Sequence, residues 1–144
     1  MSEGGTIDLD VLREEANASP YYRLLGMEVE EASPTHARVI MRRQEGLLQF
    51  QDAIHGGAIF SVADAAVAIA SLIGVAEGTH ALTIEGKLNY TAPARGEVVT
   101  AEATIAQRGR KIVVGEVRVT DEDGTLVATG IMTYMLKLIA KDAA

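Results

Sequence analysis

The sequence predicts an α+β fold in which one curved, mostly antiparallel sheet packs around a single buried helix. Three observations carry this expectation. The run from about Gly56 to Val75 is apolar nearly all round, as a helix enclosed on every side must be. Two segments before it and four after it change to a period of two, the signature of strands. The strands after the helix follow one another through short turns, which favours antiparallel pairing.

Each element can be justified in chain order. In IDLDVLREEAN, residues 7–17, Ile7, Val11 and Leu12 share one side, so a short helix is expected to end before Pro20. Tyr21 to Gly26 reads as a further turn, and residues 1–25 form an N-terminal helical segment of one domain covering 1–144. From Met27 to Arg43 the pattern gives two strands broken at Ser33-Pro34. Ala37, Val39 and Met41 face one way there, and Arg38 and Arg42 the other. Residues 44–54 have no clean period and read as a loop. The Ala-rich helix follows, about 30 Å long if it reaches Val75.

In ALTIEGKLNY, Leu82, Ile84, Leu88 and Tyr90 alternate with Thr83, Glu85, Lys87 and Asn89. Pro93 and Gly96 make a turn; EVVTAEATIAQ and KIVVGEVRVTD are the next strands. Asp121 to Gly124 is a hairpin turn, with the glycine where a positive φ is expected. TLVATGIMTYMLKLI is apolar on both faces and therefore a central strand.

The totals narrow the function classes. A chain of 144 residues, 48% hydrophobic and 23% charged, fits one globular domain. With no cysteine there is no disulfide, thiolate metal site or Cys nucleophile. A net charge of −7 argues against a nucleic-acid partner. The single long apolar stretch is too short and too interrupted to span a membrane. The start, MSEGGTIDLD, is acidic and polar, unlike a secretory signal, and a cytoplasmic location is expected.

The chemistry concentrates in AIHGGAIFSVADAAVAIAS, residues 53–71. Helix N-termini present unpaired N–H groups with a partial positive charge, and residues without side chains let a ligand approach them. His55-Gly56-Gly57 is thus a candidate oxyanion hole, or simply the place where the helix starts. Asp64 is an ionisable group within an apolar run: either a working carboxylate or one satisfied by buried hydroxyls and backbone N–H groups. It lies eight residues beyond Gly56, roughly 12 Å along the axis. One carbonyl cannot touch both ends of that interval on one helix. A site using both needs two chains with their helices side by side and antiparallel, hence a two-fold dimer.

His55 either ligates a metal or hydrogen-bonds backbone to fix the loop; His36 and His80 stand at no fitting ligand spacing. Ser61 has no G-x-S-x-G setting that would mark a nucleophile. Arg108, Arg110 and Lys111 sit at a strand-to-strand turn and either hold phosphates or are solvated.

The residues Gln49, His55-Gly56-Gly57-Ala58, Ala63-Asp64, Thr83-x-Glu85 and Asn89-Tyr90-x-x-Pro93-Ala94-x-Gly96 resemble the hotdog-fold acyl-CoA thioesterases, and within them the phenylacetate-degradation (PaaI-like) type. The likeness covers about residues 40–138, and its most specific part is the HGG followed by an Asp nine positions beyond the His. It implies a hotdog fold, homodimers and often homotetramers, and hydrolysis of an acyl-CoA thioester with no metal or redox cofactor. By the same resemblance Asp64 is the general base or nucleophile and Gly56 N–H the oxyanion donor, with Gly57 beside it at the substrate. His55 positions the loop, Gln49 polarises the thioester or holds water, and Thr83 orients water with Asp64. Arg108, Arg110 and Lys111 are expected to bind the CoA phosphates.

Two positions depart from the family pattern. Asp52 stands where many relatives carry glycine, and alternation puts Thr83 on the polar side of its strand. Two further activities fit the same fold: acyl-CoA binding without catalysis, and hydration or dehydration of an enoyl-CoA.

Overall fold

A computed structural model describes residues 4–139; residues 1–3 and 140–144, inside the expected domain bounds, lie outside the described residues. The chain runs α1 (Leu9–Ala18), α2 (Pro20–Leu25), β1 (Met27–Ala32), β2 (His36–Arg42), a single 3-10 turn (Glu45–Leu47), α3 (Gly56–Leu72), β3 (Thr79–Tyr90), β4 (Val98–Arg108), β5 (Ile112–Asp121) and β6 (Leu126–Leu138). The helix ends follow local chemistry. Asp8 caps α1 by accepting from Val11 N–H at 2.9 Å. Pro20 opens α2, and Gly26 closes it in the left-handed region.

All six strands join one sheet in the order β1-β2-β4-β5-β6-β3, antiparallel at every step. Together with the helix it embraces, this is the hotdog fold. The expected alternation in β2 holds: Ala37, Val39 and Met41 are buried against α3. β6 is an interior strand, between β5 and β3. Only β3 departs from neighbour-to-neighbour order. It forms the sheet edge opposite β1, so the chain must cross from that edge to reach β4. The crossover passes the helix start, where Ile54 N–H donates to the carbonyl of the buried Ala94.

The core lies between sheet and helix. Val62, Ala63, Ala66, Val67 and Ala70 of α3 are fully enclosed, as are Val39, Val99, Ala101, Val117 and Met132 on the strands. Each buried valine stabilises the fold by about 1.5–3 kcal/mol relative to exposure. The approach is close at Gly115, where a Cβ would lie 2.6 Å from Val67 Cγ1.

The sequence overestimates α3 in two respects. The helix ends at Leu72, not Val75, because Gly74 turns with φ 81° and donates its N–H to Ile7 O. Nor is the helix enclosed on every side. Phe60, Ser61, Asp64, Ala68 and Leu72 form one half-covered stripe at helical spacing, with the exposed Gly57 near its start. The residues between them are buried.

The departure at Asp52 has a backbone reason. Its φ is 67°, the left-handed region, where glycine costs nothing and Asp is among the few tolerated alternatives. Its backbone oxygen accepts from the Arg43 guanidinium at 3.1 Å, and its carboxylate lies 3.5 Å from the same group. Asp52→Val should therefore destabilise the fold by about 1–2 kcal/mol. Asp52→Gly should leave the melting temperature nearly unchanged, because the ion pair it loses is long and its carboxylate is exposed, so it is worth little. Thermal melts of the two variants beside the parent check this.

Candidate active site

The site begins at the tip of α3. His55 is the N-cap: its Nδ1 accepts from Gly57 N–H at 2.8 Å, and its own backbone N–H donates to Leu47 O. This bond fixes the ring and leaves the proton on Nε2. The Gly56 N–H has no acceptor among the described residues, while the Gly56 carbonyl accepts from Tyr90 Oη at 2.8 Å. Burial pushes the Tyr90 hydroxyl pKa up, so the group stays a donor. A cleft of about 420 Å³ is lined by Gln49, Gly56, Ile59, Tyr90 and Val127. The Gln49 Oε1 accepts from Gln51 N–H, which leaves its amide NH₂ as the free donor.

Two turns down the helix, Asp64 stands half-buried on the open stripe. Thr83 Oγ1 donates to its Oδ1 at 3.1 Å. Tyr134 Oη donates to the same oxygen and to the Asp64 backbone carbonyl, the latter at 2.7 Å. Tyr22 of α2 stands close enough to feel the carboxylate; burial first and that charge second push its hydroxyl pKa up. Burial, then the bond to Asp64, do the same to Tyr134. Both phenols stay protonated around an ionisable carboxyl.

Thr83 faces the helix because β3 carries a bulge. Thr83 pairs with Tyr134 and Glu85 with Thr133, so Ile84 is an extra residue and the alternation reverses across it. Strict alternation would have turned Thr83 away. The expected common face of Leu82, Ile84, Leu88 and Tyr90 is broken by the same bulge. Tyr134 and Tyr22 were not singled out by sequence; the available signal was that a tyrosine in a buried strand must find a partner for its hydroxyl.

The basic turn divides. Arg108 donates to the carbonyls of Ser71, Ala70 and Pro34 at 3.1, 3.1 and 2.8 Å. It closes the C-terminus of α3, where free carbonyls and the helix dipole favour a cation. That use engages the guanidinium that the sequence offered for phosphates. Arg110 and Lys111 are exposed. Ser61 Oγ donates to Gly57 O at 3.0 Å and meets Tyr21 Oη at 2.7 Å, a helix-surface arrangement with no base. His36 faces Glu102 on the outer sheet, and His80 lines a separate cleft of about 610 Å³ with Ile7, Val11 and Leu72. Among the described residues no three His, Asp or Glu side chains gather as a metal site, and no helix is long and apolar enough to cross a membrane.

Chemically, the arrangement offers an N–H donor at a helix tip and a carboxylate with one oxygen held by two hydroxyls. Such parts suit addition of water to a carbonyl that passes through an oxyanion. Comparison with known proteins agrees. The thioesterase superfamily profile matches residues 51–128. The medium/long-chain acyl-CoA thioesterase YigI of Escherichia coli K12 is 28% identical over 133 residues, covering 81% of this chain and 85% of that protein. A thioesterase structure from Haemophilus influenzae superposes with a TM-score of 0.85 at 22% identity, covering all of both chains. A thioesterase-family structure from Silicibacter pomeroyi gives 0.83 at 26% identity, covering 89% of this chain and 96% of that one. The helix tip, the carboxylate and the family profile together lead to one conclusion: this chain belongs to the thioesterase superfamily and is a thioester hydrolase.

Proposed function

We propose that the chain hydrolyses acyl-CoA thioesters at sites shared by two copies. Asp64 of one chain takes a proton from water, or attacks the carbonyl carbon itself, expelling CoA thiolate to leave an acyl–Asp64 anhydride that water then cleaves to the acid and the free carboxylate. The Gly56 N–H of the partner subunit holds the developing oxyanion, with Gly57 beside it. In the water route, the new C–O bond forms as the carbonyl electrons move onto oxygen. Their return breaks the C–S bond; CoA leaves as the thiolate and the acyl group as the acid. Gln49 has a free amide donor for the carbonyl or the water. Thr83 holds the carboxylate, and His55 keeps the glycines at the helix tip. Arg110 and Lys111 are the cations left for the CoA phosphates.

The observation that carries this reading is the separation along one helix. Gly56 and Asp64 stand eight residues apart on α3, roughly 12 Å along its axis, too far for one carbonyl. The open stripe between them supports a second helix lying against it. So do the apolar side chains left exposed nearby: Phe50 is 97% exposed, and Leu82, Ile84 and Tyr90 of the edge strand about half.

The test is a thiol-release assay over saturated medium- and long-chain acyl-CoAs, arylacetyl-CoAs and an enoyl-CoA. Release of free CoA thiol is expected, with alkanoyl chains favoured by the likeness to YigI and arylacetyl groups by the phenylacetate-type motif. Tight binding without thiol release would replace hydrolysis with a carrier or sensor role. Loss of the double bond without thiol would indicate a hydratase.

A further inference from the structure

We infer that Tyr134 is a positioning residue for Asp64, fixing the rotamer of its carboxylate so that one oxygen is held by the sheet. The inference rests on the reading of Asp64 as the working carboxylate. The geometry is specific. Tyr134 is 1% exposed, on β6, and its hydroxyl reaches both the Asp64 backbone carbonyl and Oδ1. Thr83, paired with Tyr134 across the β3–β6 ladder, donates to the same Oδ1 at 3.1 Å and lies 3.4 Å from Oδ2. Two donors from neighbouring strands thus converge on one oxygen. The other oxygen has only the longer bond from Thr83, at 3.4 Å.

The bond to the backbone carbonyl adds a second property. A single O–H shared between the carbonyl and Oδ1 is tied to the helix whatever the carboxyl does. When Asp64 is replaced, the phenol still has an acceptor. The contact is therefore not needed to satisfy a buried hydroxyl; what it adds is a fixed orientation of the carboxylate relative to the helix.

The groups facing Asp64 are few. From β6 there is Tyr134, from β3 the non-titrating Thr83, and from α2 Tyr22. On α3 itself the residues one turn away, Phe60, Ser61, Val67 and Ala68, carry no charge. Among these groups the hydroxyls of Tyr134 and Thr83 are the ones that hydrogen-bond the carboxylate and so orient it.

Tyr134→Phe removes one oxygen and keeps the ring. The expected result is a kcat lower by about 10-fold with a KM within about threefold of the parent. A merely structural tyrosine would lower the melting temperature and leave the kcat of the folded protein alone. A kcat within about twofold of the parent, in a protein of normal melting temperature, would overturn the inference. In an Asp64→Ala background the same change should cost no further activity; a full additional loss would also overturn it. Should Tyr134→Phe not fold, 3-fluorotyrosine placed at position 134 keeps the ring and donates more strongly. The kcat should then change by more than about twofold with KM held, and an unchanged kcat would count against the role. Normal activity of Asp64→Ala would instead remove the reading of Asp64 beneath it, so the two failures are distinguishable.

Discussion

Asp64→Ala is expected to lower kcat by about 10³-fold while leaving the fold intact, because in the proposed mechanism it removes the group that activates water or forms the acyl bond. Stability should hold for a physical reason. The side chain lies on the half-covered stripe and not in the core, so its truncation opens no sealed cavity. Tyr134 also keeps the Asp64 backbone carbonyl as acceptor, so no buried hydroxyl is orphaned. Thiol-release kinetics beside circular dichroism and a thermal melt separate loss of chemistry from loss of structure. Turnover within a few fold of the parent would remove Asp64 from the mechanism.

The second large effect concerns Gly56, whose N–H can be deleted almost without disturbing the helix. Gly56 is the first helical residue, the position where proline is best tolerated. His55 has φ −60° and ψ 140°, the conformation residues adopt before proline. The one tight neighbour is the half-exposed Tyr90 ring, 3.3 Å from where a Cβ would stand. Gly56→Pro should then cost about 10²–10³-fold in kcat, the usual size for losing one oxyanion donor. Mixing it with Asp64→Ala tests the pairing itself. If each site draws its carboxylate and its N–H from different chains, a mixed dimer holds one intact site beside one doubly impaired. Unfolding and refolding the two inactive variants together should restore about a quarter of parental activity by random pairing. If both groups act within one chain, the mixture stays inactive.

Much of this was legible in the sequence because periodicity reports faces. The inward set of β2, the interior position of β6 and the glycine-started helix all follow from patterns of two or of 3.6. The missed parts share a different cause. The bulge at Ile84 inserts one residue, and one residue reverses every side chain beyond it; nothing in ALTIEGKLNY announces that slip. Tyr134 sits in a strand apolar on both faces, so its hydroxyl is hidden in what reads as core. Arg108 reads as a solvated turn cation until the end of α3 is known to lie beside it. The open stripe of α3 is invisible because its Ala68 and Leu72 are as apolar as the residues they accompany. Pattern reveals what is buried on average; it does not reveal which strip the remainder of the chain leaves uncovered.

The location of that strip has a geometric corollary. In a two-fold pairing that sets residue 64 against residue 56 of a second copy, the symmetry axis must pass midway, beside residue 60. Phe60, half-covered and with its ring tip over Gly86 of its own sheet, would then stand beside the axis, close to its own counterpart. Any substitution there acts twice at a single point, and a helix offset of one turn would disable both reaction centres together.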